Sequence, residues 1–322
     1  MKAAVVYQPG SPEAFVLEDR PIPVPGADQV LVNIKAFGLN RSELMTRKGL
    51  SPMVRFPRVL GIECAGEVVY DPSGTFPKGQ QVLALMGGMG RDFDGSYAEY
   101  TLLAKHLLHP VSSNLPWEVL GALPEMFQTA HGSLTMTLAI QSGQTLLIRG
   151  GTSSVGMLAT QLAAQAGLTV IATTRNPAKE TALRENGATH VLIDDGALKA
   201  PVTQLVPDGV DKVLELIGTK TLRDSLTCLR PGGVCCMSGM LSETWSVPDF
   251  APMEFIPPMT YLSVYDSGQL RSTTEAFQQF INQVEAGTVK LPISKVFTLD
   301  QLVDAHLFME NNLAAGKLVV LT

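Results

Sequence analysis

The chain has 322 residues, a length that allows two domains and a sizeable apolar core. Hydrophobic residues make up 45% of it and charged residues 17%, which is the balance of an ordinary globular protein. The formal net charge of −6 gives no attraction for a polyanion, which argues against nucleic-acid binding as a main task.

The first third of the chain has the pattern of a β-rich domain. Short apolar or alternating runs are separated by turns rich in Gly, Pro and Asp, as in a small barrel or sandwich. The runs that predict strands are MKAAVVY, QVLVNIKAFGL, CAGEVVY, QQVLALM and YAEYTLLA. A short helix is expected at residues 41–47. After Pro116, apolar residues recur at helical spacing and predict two helices.

From residue 144 onward, predicted strands alternate with predicted helices. The strands are QTLLIRG, LTVIATT, HVLID, VDKVLELIG and GGVCCMSGM. One helix ends at Gly167, and the next begins at Pro177 and ends at Gly187. This alternation indicates right-handed βαβ units around a parallel sheet. A helix near residues 272–286 precedes a tail that predicts strand, helix, strand.

The sharpest local feature is the segment LIRGGTSSVG, which follows a strand and opens a helix. Gly151 and Gly156 are five residues apart, so the G-x-G-x-x-G pattern is absent. Small residues still allow a tight turn, and the helix N-terminus offers free N–H groups to a pyrophosphate. Ser153 and Ser154 are expected to add hydroxyl donors. Taken alone, the loop also fits an ordinary tight strand–helix turn.

The end of the second strand of this series indicates which dinucleotide binds. An NAD site has an Asp or Glu here that accepts from the ribose 2′-OH. This chain has Arg175 and Lys179 and no acid. Because these cations would attract a 2′-phosphate, the sequence predicts NADPH. The alternative is that both side chains are solvated surface charges.

The four cysteines fit neither a disulfide framework nor a zinc knuckle: Cys64, Cys228, Cys235 and Cys236. We expect free, mostly buried thiols, which are typical of a reducing compartment. The N-terminal segment lacks the apolar core of a signal peptide, and no window has the ~18 apolar residues of a membrane span. A cytoplasmic protein that neither spans nor binds a membrane is therefore expected.

Six segments, in order along the whole chain, resemble the medium-chain dehydrogenase/reductase superfamily, and within it the zinc-free quinone oxidoreductase (zeta-crystallin-like) branch. They are MKAAVVYQPGSPE, VLVNIKAFGLNRSE, LGIECAGEVV, LPEMFQTAHGSL, RGGTSSVG and GKLVV. The resemblance implies an α/β fold with a GroES-like β-rich catalytic domain, residues 1–118 completed by 288–322. It also implies a Rossmann domain with a doubly wound parallel sheet, residues 119–287, that binds NADPH in the cleft between the domains.

The resemblance also implies cofactor contacts, grouped by the part of the cofactor. They are Thr129 on the nicotinamide side; Gly151, Thr152, Ser153, Ser154 and Val155 at the pyrophosphate; Thr174, Arg175 and Lys179 at the 2′-phosphate; Ile217 and Gly218 at the adenosine; Ser238, Gly239 and Met240 at the nicotinamide ribose; and Leu262, Ser263 and Lys317 near the nicotinamide end.

No metal is expected. Zinc-dependent relatives hold the metal at positions that correspond to Asn40, Ile62 and Glu125, and isoleucine cannot be a ligand. The four-cysteine lobe that holds a structural zinc in such relatives is also missing. The resemblance places Met45, Ile62, Glu125 and Phe127 around the substrate. It makes Asn40 the candidate hydrogen-bond donor to the substrate oxygen.

Without a Lewis acid, hydride transfer to an electrophilic acceptor is the feasible chemistry. The expected enzyme is an NADPH-dependent reductase of a small-molecule quinone or α,β-unsaturated carbonyl. An enoyl-thioester reductase is one alternative, and a non-catalytic NADPH-binding redox sensor is another. The resemblance also implies a homodimer joined through the Rossmann sheet, with residues 255–265 as a candidate edge element.

Overall fold

The computed structural model describes residues 1–322 and contains sixteen strands and ten α-helices. The strands are β1 (Lys2–Val6), β2 (Phe15–Asp19), β3 (Gln29–Gly38), β4 (Arg58–Val59), β5 (Glu63–Tyr70), β6 (Gln81–Leu85), β7 (Tyr100–Ala104), β8 (Leu108–Pro110), β9 (Thr145–Arg149), β10 (Thr169–Thr174), β11 (His190–Ile193), β12 (Val210–Glu215), β13 (Leu229–Met237), β14 (Tyr261–Val264), β15 (Ile293–Thr298) and β16 (Lys317–Leu321). The helices are α1 (Arg41–Arg47), α2 (Trp117–Ala122), α3 (Pro124–Gly132), α4 (Ser154–Gln165), α5 (Glu180–Glu185), α6 (Lys199–Leu205), α7 (Thr219–Thr227), α8 (Pro252–Phe255), α9 (Thr274–Glu285) and α10 (Leu302–Glu310).

The chain divides into two compact units. The first comprises residues 1–126 and 272–322, and the second comprises residues 127–271. The domain bounds expected from the sequence place α2 and α9 in the second unit. In the structure both helices pack within the first unit, because α2 lies against β3 and β16 and α9 lies against β8.

The first unit is β-rich, as the alternating runs predict. Seven of its strands form one sheet in the order β15-β16-β3-β5-β6-β8, with β7 also paired to β3, and β2-β1-β4 form a second sheet. The pairs are antiparallel except for β15 with β16. The apolar side chains of these strands, of α1 and of α10 form one buried core. The C-terminal strand therefore completes the unit through its pairing with β3.

The second unit contains a six-stranded sheet in the order β11-β10-β9-β12-β13-β14, in which every pair is parallel. The chain leaves β9 toward β10 and β11 and then returns to build β12, β13 and β14 on the other side. This is the doubly wound arrangement, in which ligands bind outside the carboxyl ends of the strands near the point of reversal. The predicted α/β fold is confirmed.

The structure also bears on three expectations about the cysteines, membrane-spanning helices and the candidate edge run. All four cysteines are free and buried, as their spacing predicts. No helix combines the length and the apolar character that crossing a membrane requires. The candidate edge run, residues 255–265, is mixed: it contains the end of α8, and only β14 within it is a strand, at the edge of the sheet.

Candidate active site

The loop between β9 and α4 has glycines where a tight turn and close backbone packing require them. Gly150 has a φ of +89°, a conformation that side chains other than glycine rarely adopt. A Cβ on Gly156 would lie 2.5 Å from the carbonyl oxygen of Gly150, so only glycine fits at that position. The helix that follows presents its first N–H groups at the carboxyl edge of the sheet, where they have no intrahelical acceptor. Both features suit a phosphate, as the sequence predicts.

The two serines of this loop differ in role, which corrects the expectation that both offer hydroxyl donors. Ser153 is the N-cap of α4: its Oγ accepts from the Gly156 N–H at 3.0 Å and donates to the Gly150 carbonyl at 2.8 Å. Its hydroxyl hydrogen is therefore used inside the loop. Ser154 is the first residue of α4 and its hydroxyl forms no hydrogen bond within the chain.

The end of β10 carries an exposed cation. Thr174 is buried, and its hydroxyl accepts from the Asn176 N–H at 3.1 Å, which shapes the turn. Arg175 is exposed and forms no hydrogen bond or ion pair within the chain. Asp194 directly follows the neighbouring strand β11, and its N–H donates to the Thr174 carbonyl at 2.9 Å, but the Asp194 carboxylate is bound to Arg149. No free carboxylate follows β10 to repel a 2′-phosphate.

The loops after β12 and β13 lie beside each other on the same edge. The Glu215 carboxylate accepts from the N–H groups of Ile217 and Gly218 at 2.7 and 3.0 Å. The Glu215 carbonyl accepts from Ser238 and Gly239. The structure thus brings together the predicted residues of these two loops. Met240 joins them, because a Cβ on Gly218 would lie 3.3 Å from its sulfur.

The other residues of the second unit that are predicted to line the site are spread over α3, β14 and the β9–α4 loop. The Ser238 hydroxyl lies 2.7 Å from that of Ser133, just after α3, the helix that carries Phe127 and Thr129. Both of these α3 side chains are buried. Leu262 and Ser263 lie one strand further out, on β14, where they are the register partners of Cys235 and Cys236. Thr152, which is half-buried, lies within the β9–α4 loop described above.

In the first unit a buried group of charged and polar side chains surrounds Asn40. The Lys317 ammonium donates to the Asn40 amide oxygen at 2.6 Å and to Glu63 Oε1 at 2.5 Å. Glu63 Oε2 accepts from the backbone N–H of Glu125 at 2.7 Å. A Cβ on Gly38 would lie 2.2 Å from Lys317 Cε, so this strand position must be glycine for the ion pair to fit.

The Asn40 amide is fully engaged within this group. Its Nδ2 donates to Glu63 Oε1 at 2.8 Å and to Glu43 Oε1 at 3.3 Å. A role as donor to a substrate oxygen therefore requires one of these two bonds to be exchanged. Lys317, expected near the nicotinamide end of the cofactor, instead has two of its three N–H groups committed to protein acceptors.

Glu43 is the second carboxyl of the group and was not singled out by the sequence. It is buried, and its Oε1 also accepts from the Ile62 N–H at 3.3 Å. Burial, together with the nearby charge of Glu63, raises the pKa of the Glu43 carboxyl to about 7. Near neutral pH the acid and carboxylate forms of Glu43 are therefore comparably populated, and the acid predominates at lower pH. Met45, one turn away from Arg41 on α1, is part of the apolar core.

Comparison with known proteins identifies the family. Residues 26–113 match the alcohol dehydrogenase GroES-like domain, and residues 186–320 match the zinc-binding dehydrogenase domain. The chain is 28% identical to a quinone oxidoreductase of Lama guanicoe, covering 100% of this chain and 97% of the relative. It is 28% identical to a 2-haloacrylate reductase of a Burkholderia species, covering 99% and 98%. A mycobacterial protein solved in complex with NADPH superposes with a TM-score of 0.88 at 25% identity, over 100% of both chains.

One of the matched domains is described as zinc-binding, but the residues present here do not fit a zinc ion. Across the whole chain, no three His, Cys, Asp or Glu side chains are grouped so that they could hold a metal. Ile62 has no donor atom, and Asn40 is bonded to the Lys317 ammonium. The fold, the ordered motifs and the full-length relatives agree. The chain is an oxidoreductase that belongs to the medium-chain dehydrogenase/reductase superfamily, with quinone oxidoreductases among its relatives.

Proposed function

We propose that this protein is an NADPH-dependent reductase that transfers hydride, without a metal, to a quinone or an α,β-unsaturated carbonyl compound. The observation that carries the proposal is the carboxyl edge of the parallel sheet. There the glycine turn before α4 stands beside the exposed Arg175, which no carboxylate neutralises. This combination of a pyrophosphate cradle and a free guanidinium suits a dinucleotide that carries a 2′-phosphate.

Several groups of the chain would hold the cofactor. The N–H groups at the start of α4 and the Ser154 hydroxyl would bind the pyrophosphate. Arg175, with Lys179 and Thr174, would bind the 2′-phosphate. The loops after β12 and β13 would contact the adenosine and the nicotinamide ribose through Ile217, Gly218 and residues 238–240. When bound, NADPH supplies the hydride.

The first unit would supply the polarising groups for the acceptor. Lys317 retains one N–H beyond its bonds to Asn40 and Glu63. The bond from Asn40 to Glu43, at 3.3 Å, is the longer of the two that Nδ2 makes, and a substrate oxygen can replace it at lower cost. A donor aimed at the acceptor oxygen stabilises the negative charge that develops there as hydride arrives.

The residues at the positions that correspond to the zinc ligands of zinc-dependent relatives favour hydride acceptors that are already electrophilic. An unactivated alcohol needs a Lewis acid to stabilise its alkoxide, and Ile62 and the lysine-bonded Asn40 provide no ligands for one. Quinones and conjugated carbonyl compounds accept hydride when they are held in the correct geometry. The 2-haloacrylate reductase among the relatives is named for a conjugated alkene, which agrees with this class of acceptor.

A steady-state assay of NADPH oxidation at 340 nm tests the function. The acceptors are quinones, enals and enones, and enoyl thioesters, with NADH as the matched cofactor. We expect turnover with quinones or with enals and enones, and higher kcat/KM with NADPH than with NADH. Turnover restricted to enoyl thioesters would favour the thioester reductase. Tight NADPH binding with no turnover on any acceptor would favour the redox sensor.

We also propose that the protein is a cytoplasmic homodimer. β14 is an edge strand with β13 as its only neighbour, and its Tyr261 and Val264 side chains are exposed. Met253 and Met259, close by in sequence, are exposed as well. An edge strand that carries exposed apolar side chains is suited to pairing with a second copy.

A further inference from the structure

A buried guanidinium lies directly beneath the loop proposed to hold the pyrophosphate. Arg149 is the last residue of β9 and is fully buried, an unusual placement for a charge in an otherwise apolar strand. Its Nε and Nη2 donate to the two carboxylate oxygens of Asp194, both at 2.8 Å. Its Nη1 donates to Asp224 at 2.7 Å and to the Ser225 hydroxyl at 3.1 Å. The guanidinium is therefore bonded on every side.

The partners of Arg149 reach three of the cofactor loops. Asp194 continues from the strand next to β10 and bonds through its N–H to Thr174, the residue before Arg175. The Ser225 hydroxyl donates to Glu215, whose carboxylate fixes the Ile217–Gly218 turn. The backbone of Arg149 itself leads into Gly150. One side chain thus connects the ends of β9, β11 and β12.

Arg149 also reduces the negative charge near the proposed 2′-phosphate site. Asp194 and Asp224 are both largely buried at the edge of the sheet where a cofactor with three phosphate groups is proposed to bind. A carboxylate in that place repels a 2′-phosphate and favours a ribose hydroxyl instead. Arg149 carries one positive charge, and its two bonds to Asp194 direct that charge to this carboxylate, which leaves Arg175 as the free charge at the end of β10.

We infer that Arg149 is a positioning residue for NADPH. It holds the cofactor loops in register and shields the 2′-phosphate from Asp194, without touching the cofactor. This inference rests on the proposed function, but it makes a separate claim: the preference for NADPH over NADH depends on a buried side chain as well as on the exposed Arg175.

The test is the dissociation constant of NADPH and of NADH, measured by nicotinamide fluorescence for the full-length protein. Arg149→Met is expected to raise the Kd of NADPH by about tenfold or more, since it breaks charge-assisted hydrogen bonds. The Kd of NADH is expected to rise less, because NADH has no 2′-phosphate for Asp194 to repel. In the double variant Arg149→Met/Asp194→Asn, the NADPH preference is expected to return in part.

Arg230→Met is the matched control. Arg230 donates to Asp211 at 2.7 Å, and Asp211 accepts from the N–H of Thr145 at the opposite end of β9. Removing this separate Arg–Asp pair of the unit is expected to lower stability while the ratio of the two Kd values stays unchanged. A ratio that moves equally in Arg230→Met and Arg149→Met would overturn the inference, since a general loss of stability would then explain both.

Two milder variants keep the inference testable if Arg149→Met does not fold. Arg149→Lys keeps the charge but cannot bond both oxygens of Asp194, and Ser225→Ala removes only the connection to Glu215. Each is expected to raise the Kd of NADPH several-fold, and wild-type Kd values in both would refute the role. Absence of NADPH binding by the wild-type protein would instead refute the proposed function, whatever the variants do.

Discussion

At the scale of single residues, Arg175 is the side chain proposed to determine the choice of cofactor. We predict that Arg175→Asp lowers the preference for NADPH over NADH, as a ratio of kcat/KM, by at least about tenfold. The guanidinium that would bind the 2′-phosphate is replaced by a carboxylate that repels it and accepts from a ribose hydroxyl. Steady-state kinetics with both cofactors give the ratio. Arg184→Asp, a charge reversal at the exposed C-terminal end of α5, is the control. An unchanged ratio in Arg175→Asp would refute the cofactor assignment.

Glu43 is predicted to make stability depend on pH. Its pKa is raised in the folded state to about 7, so the folded chain binds the proton more tightly than the unfolded chain does. The stability from this group is present below pH 4.5 and is lost as pH rises through 7. The loss amounts to about 3 kcal/mol, because each unit of pKa shift corresponds to about 1.4 kcal/mol.

Urea unfolding of wild type and of Glu43→Gln between pH 4.5 and 8 measures this effect. Over that range, the stability of wild type relative to the variant is expected to fall by about 3 kcal/mol. The variant is needed as a reference because wild type alone also contains the effect of His306. Burial lowers the pKa of His306 to about 3, so this residue makes stability rise with pH, opposite to the effect of Glu43. Glu67→Gln, at a half-exposed carboxylate of the same unit, should show no such trend. Parallel profiles for wild type and Glu43→Gln would mean that Glu43 is ionised.

Some residues of the candidate site can be predicted from the sequence and others cannot. The glycine turn and Arg175 are evident from residue type and position, since both act through the local backbone or an unshared charge. The bonds of Asn40, and the use of Ser153 as a cap, depend on residues distant in the chain. The sequence does indicate that Arg149 and Glu63 have buried ionic partners, because both are charged residues in apolar strands, but it does not identify those partners.

At the scale of elements, the edge strand β14 is predicted to join two copies of the chain. Val264 is 59% exposed on β14, and a lysine there would oppose pairing between edges. We expect wild type to be a dimer and Val264→Lys a monomer in size-exclusion chromatography with light scattering. Val296→Lys changes an exposed valine on β15, the edge strand of the other unit, and should leave the dimer intact. A monomeric wild type at micromolar concentration would contradict the proposal.

Hydrophobic periodicity predicts some of the helices and strands but not others. Strands with long apolar runs, such as β3 and β5, and the amphipathic α9 follow directly from their patterns. The short strands β4 and β8 lack enough residues for a pattern, and their pairing with distant strands defines them. The membership of α2 and α9 in the first unit depends on which surface they bury, which spacing alone does not specify.

At the scale of the whole molecule, the chain has one unit with a doubly wound parallel sheet and one β-rich unit in which Lys317 provides positive charge beside Asn40. The Lys317–Glu63 pair is enclosed by its own unit and depends on glycine at position 38. The second unit carries the loops proposed to bind the cofactor, and the first unit carries the polar group proposed to polarise the acceptor.

The proposal of metal-free hydride transfer is tested most directly by NADPH-dependent reduction of a quinone or enone by protein dialysed against a chelator, with its zinc content measured in the same sample. We predict full activity at substoichiometric zinc and no gain in activity when zinc is added. Activity that disappears on chelation and returns with one zinc ion per chain would contradict the proposal.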